Sequence, residues 1–341
     1  MSTISLLLTS LLGLGPVLLF LLVLVYLDSF KLVSLASVVV VMLLGAFAGV
    51  ASYAISGPVM DALHLGFTQY SRYAAPIVEE CLKTGVMIYL ITRNRVGFMI
   101  DAAIFGMAIG AGFAVFENIY YAQVFPDANL GVWMVRGFGT AIMHGGATAI
   151  NGVTALSLSS RRSEFNPLNY LPGLILAVSL HTIFNQFTHW PLQSTAATIF
   201  ILPLALLLVF DKSEHQAHDW LIHDYESHEH LLAAIRDGSY AHSEAGRFIS
   251  DLAARLEKAH AEDIFAYLRI HTELVLRAEQ LLLERERGIG DAPKPADHEM
   301  FARLHELENK IGRTAMLTIW PHLKFSHKEL WELHQLEARA A

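Results

Sequence analysis

ISLLLTSLLGLGPVLLFLLVLVYL, Ile4 to Leu27, is an apolar run of 24 residues without a charged side chain. No basic residue precedes it and no small-residue cleavage pattern follows, whereas a secretory signal is shorter and positively flanked, so a retained transmembrane helix is expected. Six more stretches are long enough to cross about 30 Å of hydrocarbon at about 1.5 Å per residue. They run approximately from Leu32 to Ile55, Tyr70 to Ile91, Phe98 to Ala122, Val132 to Leu158, Leu168 to Phe187 and Leu192 to Phe210. The fold class expected is all-α: a polytopic membrane helix bundle of about seven spans (residues 1–210) followed by a C-terminal soluble α-helical domain (residues 211–341).

Composition agrees with that division. The chain of 341 residues is 54% hydrophobic and 16% charged, with a mean hydropathy of +0.42, far from a soluble average. Only 8 of the 32 acidic and 8 of the 24 basic residues precede Phe210, so the net charge of -8 belongs to the tail. No clustered Lys and Arg offer a nucleic-acid footprint. The single cysteine, Cys81, can form no intrachain disulfide.

Short cytoplasmic loops are enriched in Lys and Arg. Lys31, Arg93 with Arg95, Arg161 with Arg162, and Lys212 follow the odd-numbered spans, while QVFPDANLG and THWPLQS after the fourth and sixth carry no basic residue. This pattern places the N-terminus outside and the tail in the cytoplasm of a multi-pass cell-membrane protein. Arg72 and Arg136 sit near outer ends and are expected to snorkel to the headgroups.

The tail reads as amphipathic helices. HTELVLRAEQLLLERERG and MFARLHELENKIGRTAMLTIW carry apolar residues at three and four spacing, and Gly288 to Pro295 reads as a loop between two helices. It holds 13 of the 17 histidines, including HQAHDWLIHDYESHEH from His215 to His230, but the spacing matches no HExxH zinc site and no cysteine ligands accompany it. Solvated surface histidines are the expectation there.

Inside the spans lies a second pattern. APIVEECLKTG, Ala75 to Gly85, carries Glu79, Glu80 and Lys83; FAVFENIYY carries Phe113, Glu117 and Asn118; AIMHGGATA carries His144; SLHTIFNQF carries His181 and Asn185. Counted inward from the outer ends at about 1.5 Å per residue, Glu117 lies at about 8 Å, His181 and Asn185 within about 10 Å, Glu79 near ~14 Å and His144 near ~20 Å. Charges facing lipid there cost several kcal/mol, so four helices delivering them to one slab suggest a shared hydrated cavity. Adjacent Glu79 and Glu80 diverge by about 100° around the helix, so one is expected to face the cavity, while Lys83 lies a turn below both and can neutralise one. Gly106, Gly110, Gly112, Gly137, Gly139, Gly145 and Gly146 would let backbones approach closely. Asp101 is expected to be a helix-end charge, and Asp61 and His64 to lie in an outer loop without chemistry.

The ordered set EExxK at Glu79 to Lys83, FxxxEN at Phe113 to Asn118, His144 and HxxxN at His181 to Asn185 resembles the PrsW family of intramembrane proteases, within the wider clan of CAAX prenyl endopeptidases and bacteriocin-processing membrane enzymes. The resemblance covers the seven-span region and none of the tail. It implies a glutamate-dependent endopeptidase without an acyl-enzyme and without a firm need for a metal cofactor. Glu79 or Glu80 would be the general base; the clan's paired glutamates favour Glu79, leaving Glu80 to pair with Lys83. His144 would hold the water or pass its proton to the leaving amine, His181 and Asn185 would donate to the oxyanion, and Glu117 would act in the site or support it. It also implies a membrane-anchored protein substrate such as an anti-sigma factor, cut near the extracytoplasmic face.

Two other functions use the same residues. Glu79, Glu117, His144 and His181 could ligate zinc in a metal-dependent hydrolase, and intramembrane carboxylates also mark proton- or cation-coupled transporters, though no inverted repeat is visible. The tail reads as a regulatory or partner-binding module; its helices could pack on each other, on a second subunit or on a cytosolic protein.

Overall fold

The computed structural model describes residues 3–28, 33–159, 166–187, 190–255, 261–287, 295–323 and 325–340. Lys31, Arg161, Arg162 and most of the Gly288 to Pro295 loop lie outside the described residues, as do Thr188, His189 and the side chains of Lys212 and residues 214–220. The chain forms two compact units, residues 1–214 and 215–341. Among the described residues there is no strand.

In the first unit α1 is Thr3–Leu27, α2 Leu35–Ala62, α3 Ala75–Thr92, α4 Met99–Val124, α5 Ile142–Ser159, α6 Leu171–Gln186, and α7 begins at Pro191 and continues to Arg236. Five stretches are long and apolar enough to cross a membrane: Leu8–Leu27, Leu35–Ala62, Met99–Val124, Pro167–Gln186 and Pro191–Val209. The protein is a membrane protein. The other two expected spans are helical but irregular: α3 follows a π-helical turn, Tyr70–Ala74, and α5 follows another, Val135–Ala141. Both irregular runs carry ionisable residues, and π-helical turns occur frequently at functional sites.

The centre of the bundle is α4. Every residue from Ile100 to Ala114 is buried, as expected of a helix apolar all round. Gly106, Gly110 and Gly112 explain how neighbours come so close: a Cβ on Gly112 would lie 1.9 Å from the Met42 carbonyl oxygen of α2, and one on Gly110 2.3 Å from that of His144 on α5. Asp101 begins this helix as expected, its Oδ2 accepting from the backbone N–H groups of Gly97 (3.0 Å) and Phe98 (3.1 Å). On α2, Val38, Val41, Gly45, Ala48 and Ser52 face inward, while Leu35, Val39, Leu43, Phe47 and Val50 are exposed along the opposite stripe, the arrangement suited to hydrocarbon.

The second unit is built on α8 (Glu244–Ala253), α9 (Ala261–Glu286), α10 (Pro295–Ile311), α11 (Arg313–Leu323) and α12 (His327–Ala340). Ile264, Tyr267, Leu268, Leu274 and Val275 of α9 meet Phe301, Leu304 and Ile311 of α10 in one apolar core. The stretch from Met300 to Trp320 makes two helices rather than one, because Gly312 adopts φ +86° between them, the usual end of a helix at glycine.

Candidate active site

The wide turn Tyr70–Ala74 delivers the chain into α3, and cross-helix hydrogen bonds hold it there. The Tyr70 hydroxyl bonds to Ser56 Oγ of α2 at 2.7 Å, and Asn185 Nδ2 of α6 donates to the Ser71 carbonyl at 2.9 Å. Below, Asn151 Nδ2 of α5 donates to Thr84 Oγ1 at 2.6 Å, and Thr84 Oγ1 donates to the Glu80 carbonyl at 2.6 Å. Neither Thr84 nor Asn151 stands out in the sequence, yet they dock α3 on α5 in the buried interior.

These helices border a half-open cavity of about 1450 Å³ lined by Glu79, Phe113, Glu117, Arg136, His144, His181 and Asn185, with Tyr53, Tyr70, Phe116, Tyr120 and Tyr121 among its aromatic walls. The carboxylates of α3 divide as 100° of helix demands. Glu79 lines the cavity, while Glu80 is fully buried and its Oε1 pairs with Lys83 Nζ at 2.5 Å and with His181 Nδ1 at 2.9 Å. Asp61 and His64 lie at the C-terminal end of α2 and just beyond it, and do not line the cavity.

A chain of polar contacts connects the set. Lys83 Nζ reaches His144 Nδ1 at 2.9 Å, His144 Nε2 lies 3.2 Å from Glu117 Oε2, and that oxygen lies 3.1 Å from Arg136 Nη2. An ammonium only donates, so His144 Nδ1 accepts and its Nε2–H donates to Glu117. On the other branch, Glu80 accepts from His181 Nδ1–H, which leaves His181 Nε2 as a lone pair. That nitrogen is 3.9 Å from Glu79 Oε2, an oxygen buried without a hydrogen-bond partner. Two acceptors facing each other across such a gap call for a donor or a cation between them. The His144 and His181 rings meet edge to face at 4.7 Å, and Phe113 packs on His144 at 5.0 Å and beneath Lys83 Nζ at 4.6 Å.

Arg136 is a correction. Depth alone suggests a snorkelling side chain, but Arg136 is 9% exposed. Its Nε donates to Asn118 Oδ1 at 2.6 Å, its Nη2 pairs with Glu117, and its guanidinium lies 3.8 Å from the Tyr121 ring centroid. The carboxylate and amide of FxxxEN draw it inward by giving the desolvated guanidinium an ion-pair partner and a hydrogen-bond acceptor.

Ligand atoms of Glu79, His144 and His181 lie within 4.8 Å of one another, the arrangement among the described residues that could hold a metal ion. The donor set fits a catalytic zinc: two imidazoles and one carboxylate are a known ligand set, and Glu80 behind His181 Nδ1 supplies the carboxylate that orients a ligating ring. Glu117, whose Oε2 lies 3.2 Å from His144 Nε2, is not in this group. The tail histidines gather no such group among the described residues.

A model of the PrsW family of intramembrane metalloproteases matches residues 33–210, just over half the chain. The chain belongs to that family. It is therefore a membrane-embedded peptidase, and the matched PrsW region contains every residue of the Glu79, Glu117, His144, His181 and Asn185 cluster. No curated protein and no solved structure matches the chain.

Proposed function

We propose that the chain is an endopeptidase in which Glu79 activates the water that attacks a peptide bond of a membrane-anchored protein. The observation that carries this is the 3.9 Å gap between Glu79 Oε2 and His181 Nε2, inside a cavity and with no protein donor at that oxygen. A water there donates one hydrogen to each acceptor. Its oxygen attacks the carbonyl carbon, Glu79 takes the proton, and the proton passes to the amine as the C–N bond breaks. Asn185 keeps one N–H free of Ser71 for the oxyanion. His181, its Nδ1 committed to Glu80, serves as acceptor first and as donor only after it has gained a proton.

The family's description as metalloproteases and the convergence of Glu79, His144 and His181 favour a second reading, in which those three hold a metal ion. A bound zinc would lower the pKa of the water and polarise the carbonyl. In that case His144 must exchange its donation to Glu117 for coordination at Nε2, while His181 presents its lone pair already.

Seven crossings, counting the π-interrupted runs that end at Thr92 and Ser159, together with the basic exits after odd-numbered spans, support an outside N-terminus and a site beneath the outer surface. An anti-sigma-like substrate rests on the family resemblance, and the tail serves in regulation or partner binding. Membership of a peptidase family takes precedence over the transporter reading.

Reconstitution with single-pass membrane proteins in liposomes tests the proposal. Glu79→Gln is expected to abolish cleavage while the protein folds as wild type, and retained cleavage refutes the role. Elemental analysis and a chelator series separate the two readings: stoichiometric metal with chelator-sensitive cleavage selects the second.

A further inference from the structure

We propose that Arg136 is a positioning residue of the peptidase site: it pins Glu117, and Glu117 in turn fixes the ring orientation and tautomer of His144. The inference rests on the metal-free reading of the site, in which His144 keeps its Nε2–H bond to Glu117, but its spectroscopic test needs no substrate.

Three observations carry it. First, one oxygen meets both partners: Glu117 Oε2 forms an ion pair with Arg136 Nη2 at 3.1 Å, without hydrogen-bond geometry, and lies 3.2 Å from His144 Nε2. The Glu117 side chain is 24% exposed and lines the cavity, so without a cation beside it the carboxylate is free to turn toward water and release the ring. Second, Arg136 is anchored independently of Glu117. Its Nε donates to Asn118 Oδ1 at 2.6 Å, and Asn118 Nδ2 donates to the Gly13 carbonyl of α1 at 2.7 Å. The Tyr121 ring supports the guanidinium face. Third, the backbone beneath it has no slack. A Cβ on Gly137 would lie 1.8 Å from the Leu12 carbonyl oxygen, so α1 presses directly on the π-helical turn that carries Arg136.

The chemistry needs arginine. A planar guanidinium reaches Glu117 and Asn118 through different nitrogens while lying flat on an aromatic ring, which a lysine ammonium cannot do. Because Arg136 spends its charge on Glu117, its role differs from that of an oxyanion donor. The relation is that of an orienting carboxylate behind a functional imidazole, with one further residue holding the carboxylate.

The test uses the full chain, ¹⁵N-labelled at histidine, in lipid nanodiscs, with the His144 ring signals identified by their loss in His144→Gln. Wild type is expected to show His144 protonated at Nε2. In Arg136→Gln the Nε2 signal is expected to shift or to average between tautomers, and cleavage of a membrane reporter to fall by between about 10- and 100-fold, in kcat rather than KM. An unchanged His144 signal in folded Arg136→Gln, or a wild-type ring protonated at Nδ1, overturns the proposal. Should Arg136→Gln fail to fold, Glu117→Gln/Arg136→Gln carries no unpaired charge. It is expected to match Glu117→Gln alone in both His144 signal and rate; a further change on adding the arginine substitution also overturns it. If Glu79→Gln retains cleavage while the His144 signal responds as stated, the reaction reading fails and the positioning role of Arg136 stands.

Discussion

Glu79 and Glu80 are neighbours in sequence and separate in function because a helix turns about 100° per residue. Glu80, with Lys83, is fully buried, and the two form a 2.5 Å pair. Removing one partner of a buried pair leaves the other uncompensated, at a cost of about 3–5 kcal/mol. Glu80→Ala is therefore expected to lower stability by about that amount in detergent unfolding, whereas Glu79→Gln is expected to leave it near wild type. Equal losses in the two variants would contradict the division of labour. The angular split was readable from the sequence and the Glu80–Lys83 pair was expected from the family resemblance; the imidazole partner was not. Depth counting places His181 near Glu79, yet only the packed helices show that its Nδ1 goes to Glu80. Arg136 was misread for the same reason, since a linear count gives height in the membrane and says nothing about what stands across the interface.

Among the elements, α4 sets the distances on which the site depends. Met42 of α2 sits against Gly112 and His144 of α5 against Gly110, each with backbone closer than a Cβ permits. Gly110→Ala would force α5 outward at the residue that bears the imidazole. Overpacking of this kind costs about 1–3 kcal/mol, and the expected outcome is a protein that still folds but cleaves at least about 10-fold more slowly, as misplacement of a reacting group implies. Wild-type cleavage in Gly110→Ala would mean that α5 can shift without moving His144. The glycines of α4 and five of the expected spans were legible, because residue size and apolar length are local properties. The π-helical turns Tyr70–Ala74 and Val135–Ala141 were not: no side-chain pattern marks an i+5 hydrogen bond, and their wide turns are fixed by tertiary partners such as Asn185 and Leu12.

At the scale of the whole molecule, the second unit carries a polar interior that its amphipathic sequence conceals. Glu332 and Glu279 are both 0% exposed, and neither oxygen of Glu332 has a hydrogen-bond partner. Burial, followed by the neighbouring Glu279 charge, pushes the Glu332 carboxyl well above its ordinary 4.5. Burial also raises Glu279, against the opposing effect of His228. Burial alone would lower His228, but its 2.8 Å bond to Glu279 and the charges of Glu279, Glu329 and Asp224 together outweigh that and raise it above 6.5. Each of these groups binds its proton more tightly in the folded state, so each contribution is complete below the unfolded pKa and is lost as pH rises through the folded one. His271 runs the other way: burial, then the His228 charge, lowers it to about 3, which weakens the fold as pH falls from 6.5 toward that value. Between roughly pH 4.5 and 6.5 His271 therefore offsets part of the loss from Glu332 and Glu279, and above about 6.5 His228 and Glu332 act in the same direction, each by up to about 1.4 kcal/mol per pH unit. Hydrogen-exchange protection of α9 and α12 in the full chain, corrected for intrinsic rates, is expected to decline as pH rises above about 6.5. Glu332→Gln, which cannot ionise, should flatten much of that decline and raise protection at pH 8, whereas an identical decline in the variant would show that the buried carboxyl does not govern it.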